Sequence, residues 1–140
     1  MFIPVQARAA SAYKRVSVDT SVESSDPHHL IELLFEGFFS ATTEARGAMA
    51  RNDVALKGRA ISRAVAIISD GLKGGLDVQR GGELAQNLSS LYDYCVMRLT
   101  QANLRNDEAL IQEVVGLIQP LAEAWKQIRP QTTRGPSDGV

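Results

Sequence analysis

The chain has 140 residues, enough for one domain with a core of ordinary size. Its 15 basic and 16 acidic residues leave a net charge of −1, which offers nothing to attract nucleic acid or an anionic membrane. A single cysteine, Cys95, excludes an intrachain disulfide, and no apolar run approaches the ~20 residues needed to span a bilayer; the expectation is a soluble protein of a reducing cytoplasm.

The N-terminus has no hydrophobic run of signal-peptide length. Residues 1–12 are small and weakly patterned, which predicts a mobile tail. Residues 13–25, YKRVSVDTSVESS, are polar and β-branched and hold no helical period. Residues 1–25 are therefore expected to form a flexible segment outside the folded domain.

The first helix starts at Asp26-Pro27. Aspartate can cap, and proline fits the first turn, where its missing N–H costs little. Leu30, Leu34, Phe38, Ala41, Ala45 and Ala48 form a stripe that Phe35 and Phe39 widen, and the helix ends near Arg51. Asn52-Asp53 caps the second helix, whose stripe is Val54, Ile61, Ala64, Val65, Ile68 and Leu72. Gly71, Gly74 and Gly75 weaken its last turns by ~1 kcal/mol each relative to alanine. Small residues also permit close backbone approach, so this end is either frayed or tightly packed.

Gly81-Gly82 marks the turn into the third helix. There Leu84, Leu88, Leu91, Cys95 and Leu99 step by four, three, four and four, the spacing of one helical face. Asn106-Asp107 caps the fourth helix, with Leu110, Val114, Leu117, Leu121, Ala124 and Ile128 as its stripe and Trp125 beside it. Pro120 interrupts that pattern by removing one hydrogen bond and crowding the carbonyl of residue 116, a glycine; a bend is expected, not a break. The polar, Pro/Gly-rich residues 129–140 predict a disordered tail. Helices near 26–50, 53–77, 83–104 and 107–128 with short connections give an all-α, antiparallel up-down four-helix bundle over residues 26–128.

No catalytic, cofactor-binding or metal-binding constellation stands out. His28 and His29 are adjacent, without a Glu-x-x-His, and read as two exposed first-turn residues. Cys95 reads as a small buried apolar residue. More informative is the apolar surface left over after one stripe per helix. On the fourth helix Ile111, Val115, Ile118 and Ala122 form a second seam, roughly 80–140° around from Leu110 at ~100° per residue. On the second, Ala60, Ile67, Gly71 and Gly74 flank the main stripe. On the third, Met97 and Leu104 fall on the polar side. Ala60, Ile67, Met97, Leu104, Ile111, Val115, Ile118 and Ala122 are thus expected to form a groove for another chain, with Leu91 and Leu117 in the core.

Three blocks carry a family resemblance. They are AYKRVSVDTSVESSDPHHLIELLFEG with Tyr13, the run from Gly71 to Asp107, and Ala124-Trp125-Lys126-Gln127-Ile128. From about Tyr13 to Ile128 the chain resembles the flagellin-specific export chaperones of bacteria, the FliS family. Many members carry Leu-Tyr-Asp-Gly where this chain has Leu34-Phe35-Glu36-Gly37, so a tyrosine hydroxyl is missing there. The resemblance implies a cytoplasmic chaperone, not an enzyme, that binds the disordered C-terminal segment of flagellin. It also implies that the chaperone prevents premature polymerisation and helps deliver the subunit to the type III export gate, an FlhA-like component. It further implies that the N-terminal segment covers part of the binding surface as a lid, and that Tyr13 within it serves as an export-apparatus or lid contact. An alternative reading is a regulatory interaction module that binds another flagellar regulator.

Overall fold

The computed structural model describes residues 26–128. The expected N-terminal segment, Tyr13 within it, and the expected tail from residue 129 lie outside the described residues. Among the described residues are four helical elements and no strand: α1 (Pro27–Ala50), α2 (Val54–Ala66, prolonged by a π-helical stretch Ile67–Lys73), α3 (Val78–Arg105) and α4 (Glu108–Gln127). They form the expected antiparallel bundle.

The helix boundaries follow from local chemistry. Asp26 accepts from the His29 N–H at 2.8 Å, and Pro27 opens α1. Two corners at one end of the bundle use the same device, an Asn-Asp pair. Asn52 takes a left-handed conformation (φ 58°), and the Asp53 N–H returns to the Ala48 carbonyl at 2.9 Å. The Asp53 carboxylate then accepts from Leu56 N at 3.1 Å and starts α2. Asn106 (φ 54°) and Asp107 repeat this between α3 and α4, with Asp107 N to Ala102 O at 3.1 Å and Ala109 N to the Asp107 carboxylate at 3.0 Å. Each pair thus closes one helix and caps the next. Buried Lys57 joins the two corners by donating to Asn103 O (3.1 Å) and Asn106 Oδ1 (3.2 Å). A cation at the carbonyl end of α3 also complements that helix dipole.

At the opposite end α2 is packed tightly and not frayed. A Cβ at Gly71 would lie 2.9 Å from Leu34 Cδ2, so glycine allows α1 and α2 to close there. The helix then tightens by steps. Gly74 N bonds back to Ser69 O, Gly75 N to Gly71 O, and Leu76 N to Lys73 O. Gly82 (φ 61°, ψ −139°) breaks α3 where the Gly81-Gly82 pair predicts a turn, but the helix starts earlier than residue 83, because Asp77 caps one further turn from Val78 by accepting from Arg80 N. α4 runs through Pro120 without a break.

The core corrects the choice of inward face. Ala60, Ile67, Ile111, Ile118 and Ala122, expected in a surface groove, are buried in the bundle core. Leu91 and Leu117, expected in the core, are only partly buried at its margin. On α4 the buried residues are Leu110, Ile111, Val114, Ile118 and Ala122, that is, three of the four members of the second seam with the near edge of the first. The second seam thus faces inward, and Leu117 and Leu121 of the first are left half-covered. On α3 the line is Ala85, Tyr92, Cys95, Leu99 and Ala102; Leu84, just past the Gly82 break, points out. Val54 and Ile128, at helix ends, are also exposed.

Ile118→Ala is therefore expected to cost about 2–5 kcal/mol as a core cavity, and Leu117→Ala clearly less, in chemical denaturation monitored by circular dichroism. Ile118→Asp should not fold.

Candidate functional site

The polar chemistry of the bundle is structural in character. Cys95 is fully buried, and burial first, then the nearby Glu113 charge, pushes its thiol up to about 11. A thiol so protonated is a poor nucleophile at neutral pH. Tyr92 beside it is pushed up to about 12, by burial and then by Cys95. Across α3 and α4, Tyr94 Oη donates to Glu113 Oε2 at 2.5 Å and Arg98 Nε to Glu113 Oε1 at 2.7 Å. These two bonds hold the Glu113 carboxyl below the usual carboxylate range. Among the described residues no cluster of three or more His, Cys, Asp or Glu is placed to hold a metal ion, and no helix is long and apolar enough to cross a membrane.

His28 departs from its expected exposed setting. Its ring stacks on Trp125 with centroids 4.8 Å apart, and its Nε2 donates to the Trp125 carbonyl at 2.9 Å. Trp125 Nε1 in turn donates to the His28 carbonyl at 3.0 Å. This reciprocal pair ties the start of α1 to the end of α4. The two residues are 97 positions apart, so no local pattern in the sequence reveals it.

The bundle offers surfaces rather than a reaction centre. The first lies between α2 and α3. Ser62, Val65, Ala66 and Ser69 line a groove of about 350 Å³ with Thr100 opposite. Ser62, Ala66 and Ser69 follow each other by four and three, a row of small side chains on one helical face. That spacing is the sequence signal that could have marked the groove. Beside it, Met97 (46% exposed) and Leu104 (81% exposed) lie one above the other on the outer ridge of α3, seven residues apart. Lys73 Nζ to Asp93 Oδ1, 2.6 Å, bridges the two helices one turn below Met97. Of the residues expected to meet a partner, then, Met97 and Leu104 stand together on the surface. Val115 is half-buried on α4, and Ala60, Ile67, Ile111 and Ile118 sit in the core. Ala122 forms part of the floor of a second groove, between α1 and α4.

A family model described as Flagellar protein FliS matches residues 9–132. Among similar proteins, the flagellar secretion chaperone FliS of Salmonella typhimurium is 54% identical over 127 residues, covering 91% of this chain and 94% of its own. The flagellar secretion chaperone FliSB of Pseudomonas aeruginosa is 42% identical over 86% of this chain and 95% of its own. FliS of Bacillus subtilis is 31% identical over 84% of this chain and 83% of its own.

The Cys95 environment makes a pH prediction. An acid kept neutral by the fold contributes stability that is complete below its ordinary value, 9.0, and is lost as pH rises through about 11. Between pH 8 and 11 the melting temperature of the wild type should fall more steeply than that of Cys95→Ala. Equal slopes would mean that the thiol does not contribute.

Proposed function

This chain belongs to the FliS family, and from that premise we propose that it is a cytoplasmic flagellar secretion chaperone whose cargo is the C-terminal segment of flagellin. The family is one of chaperones, not enzymes. The observation that carries the cargo reading is the exposed apolar ridge of Met97 and Leu104 beside the small-residue groove of α2. A ridge of large side chains next to a row of small ones suits the apolar face of an amphipathic helix. Covering such a surface gains ~25 cal/mol per Å² of apolar area. Ordering a disordered segment costs roughly 2–5 kcal/mol, so a long contact is needed for binding that is tight and still reversible at the export gate. The bound segment is one that would otherwise polymerise, and delivery to an FlhA-like gate component follows once it is masked.

Residues 1–25 act in this scheme as a weakly held cover. Val16, Val18 and Val22 give them some apolar character without a helical period. A strong cover would subtract its own binding energy from that of the cargo, so a weak one is the workable design. Its departure frees Tyr13 for the export apparatus.

Leu104→Asp and Met97→Asp should each weaken binding of the flagellin C-terminal segment by about tenfold or more, as a buried anchor does, with unchanged circular dichroism and melting temperature. Ile128→Asp, at an exposed apolar position at the opposite end of the bundle, is the control and should bind normally. If all three variants bind alike, the ridge is not the cargo surface. On forming the complex, hydrogen exchange in residues 1–18 should speed up. Slower exchange there would make the segment a clamp and not a cover.

A further inference from the structure

The groove between α1 and α4 is not used by the cargo reading above, and its chemistry is different. Phe35, Phe39 and Ala122 make its floor, and Glu32, Glu36 and Glu123 line it, enclosing about 210 Å³. Each helix contributes at i, i+3, i+4 and i+7, from residue 32 on α1 and from residue 119 on α4, so the groove runs along both helices for two turns, ~10 Å. The stacked His28–Trp125 pair fastens the two helices together at one end of the groove. Phe38 is fully buried and meets Phe39 edge-on at 5.2 Å, which holds the Phe39 ring in place. The trough is therefore preformed.

Its charges are unbalanced. Lys126 is the one cation lining the groove, against three carboxylates. Among the described residues no cation pairs with Glu36 or Glu123, and Glu32 meets only the His28 and His29 rings, at 4.0 and 3.5 Å. This pattern selects among occupants. Phosphates of a nucleic acid or an anionic membrane are repelled by the carboxylates. A second copy docked about a two-fold axis sets like carboxylates against each other. A peptide helix with an apolar face and basic flanks covers the phenylalanines and pairs with the carboxylates together.

We infer that the α1–α4 groove is a second docking site, which takes a basic amphipathic helix of a partner protein other than the flagellin segment. Both grooves can be filled at once, because they lie on different helix pairs.

The test uses the full chain and two fluorescent helical peptides of about three turns. They share one leucine face and carry either lysines or glutamates on the flanks. The lysine peptide should bind more tightly than the glutamate peptide, and its affinity should fall as salt rises. It should weaken about fivefold in the double variant E36Q/E123Q, whose changes are on exposed side chains, and tighten in K126Q. Saturating flagellin C-terminal segment should leave it bound. Equal affinity for the two peptides, or no effect of E36Q/E123Q, would overturn the proposal. Displacement of the lysine peptide by the flagellin segment would give this groove to the cargo and overturn it too, while leaving the cargo reading standing. Binding of the lysine peptide only to a full chain carrying R8E, K14E and R15E would assign the groove to the chain's own N-terminal segment, and would equally reject a separate partner.

Discussion

The structure depends on the register in which its helices meet, and two Asn-Asp corners set that register. Each corner closes a helix with a left-handed asparagine and caps the next with the following aspartate, so there is no slack to let a helix slide or turn about its axis. Lys57 reaches from the first turn of α2 to Asn103 and Asn106 and locks one corner to the other. Its ammonium is buried, and the two acceptors at the α3 carbonyl end offset the loss of water. At the far end the Gly71–Leu34 contact and the His28–Trp125 pair do the same work with different chemistry. With both ends fixed, each helix has one face it must bury, and whatever apolar surface lies outside that face is left for partners.

That remainder is not uniform. Between α2 and α3 it is a row of small side chains, part hydroxyl and part apolar, with large apolar residues standing on the ridge next to it. Between α1 and α4 it is aromatic at the floor and acidic at the rim. A bundle of this size can hold two chemically distinct surfaces because its helix pairs are separated by the core, which couples them only through packing. The chaperone role asks for such a division. A cargo that is held and later released is better held on a surface that other contacts do not compete for.

Much of this was legible in the residues. The helix starts at Asp26-Pro27, Asn52-Asp53 and Asn106-Asp107, the break at Gly82 and the helix continuing through Pro120 all follow from local capping and backbone rules. The orientation of each helix did not. On α4, Leu110, Leu117 and Leu121 on one side and Ile111, Ile118 and Ala122 on the other are equally apolar, and periodicity cannot choose between adjoining seams. The choice is made by α1 and α3, which bury the Ile111, Ile118 and Ala122 seam together with Leu110 and Val114 from the edge of the other. Tyr92 inside and Leu84 outside show the same limit on α3, where a one-residue rotation exchanges a leucine for a tyrosine. The His28–Trp125 pair and the acidic groove join the two ends of the chain, and nothing in either segment alone points to the other. The surface pair Met97 and Leu104 could be read because both are large apolar residues on an otherwise polar face.

The central claim is that the cargo lies along the α2–α3 groove against the outer ridge of α3. Methyl-resolved NMR of the chain, titrated with the flagellin C-terminal segment, tests it most directly. The largest shifts and direct intermolecular contacts are expected at the Met97, Leu104 and Val65 methyls, with the core methyls of Ile68 and Ile111 little changed. Contacts confined to α4, or shifts spread through the core without contacts on the α3 ridge, would contradict it.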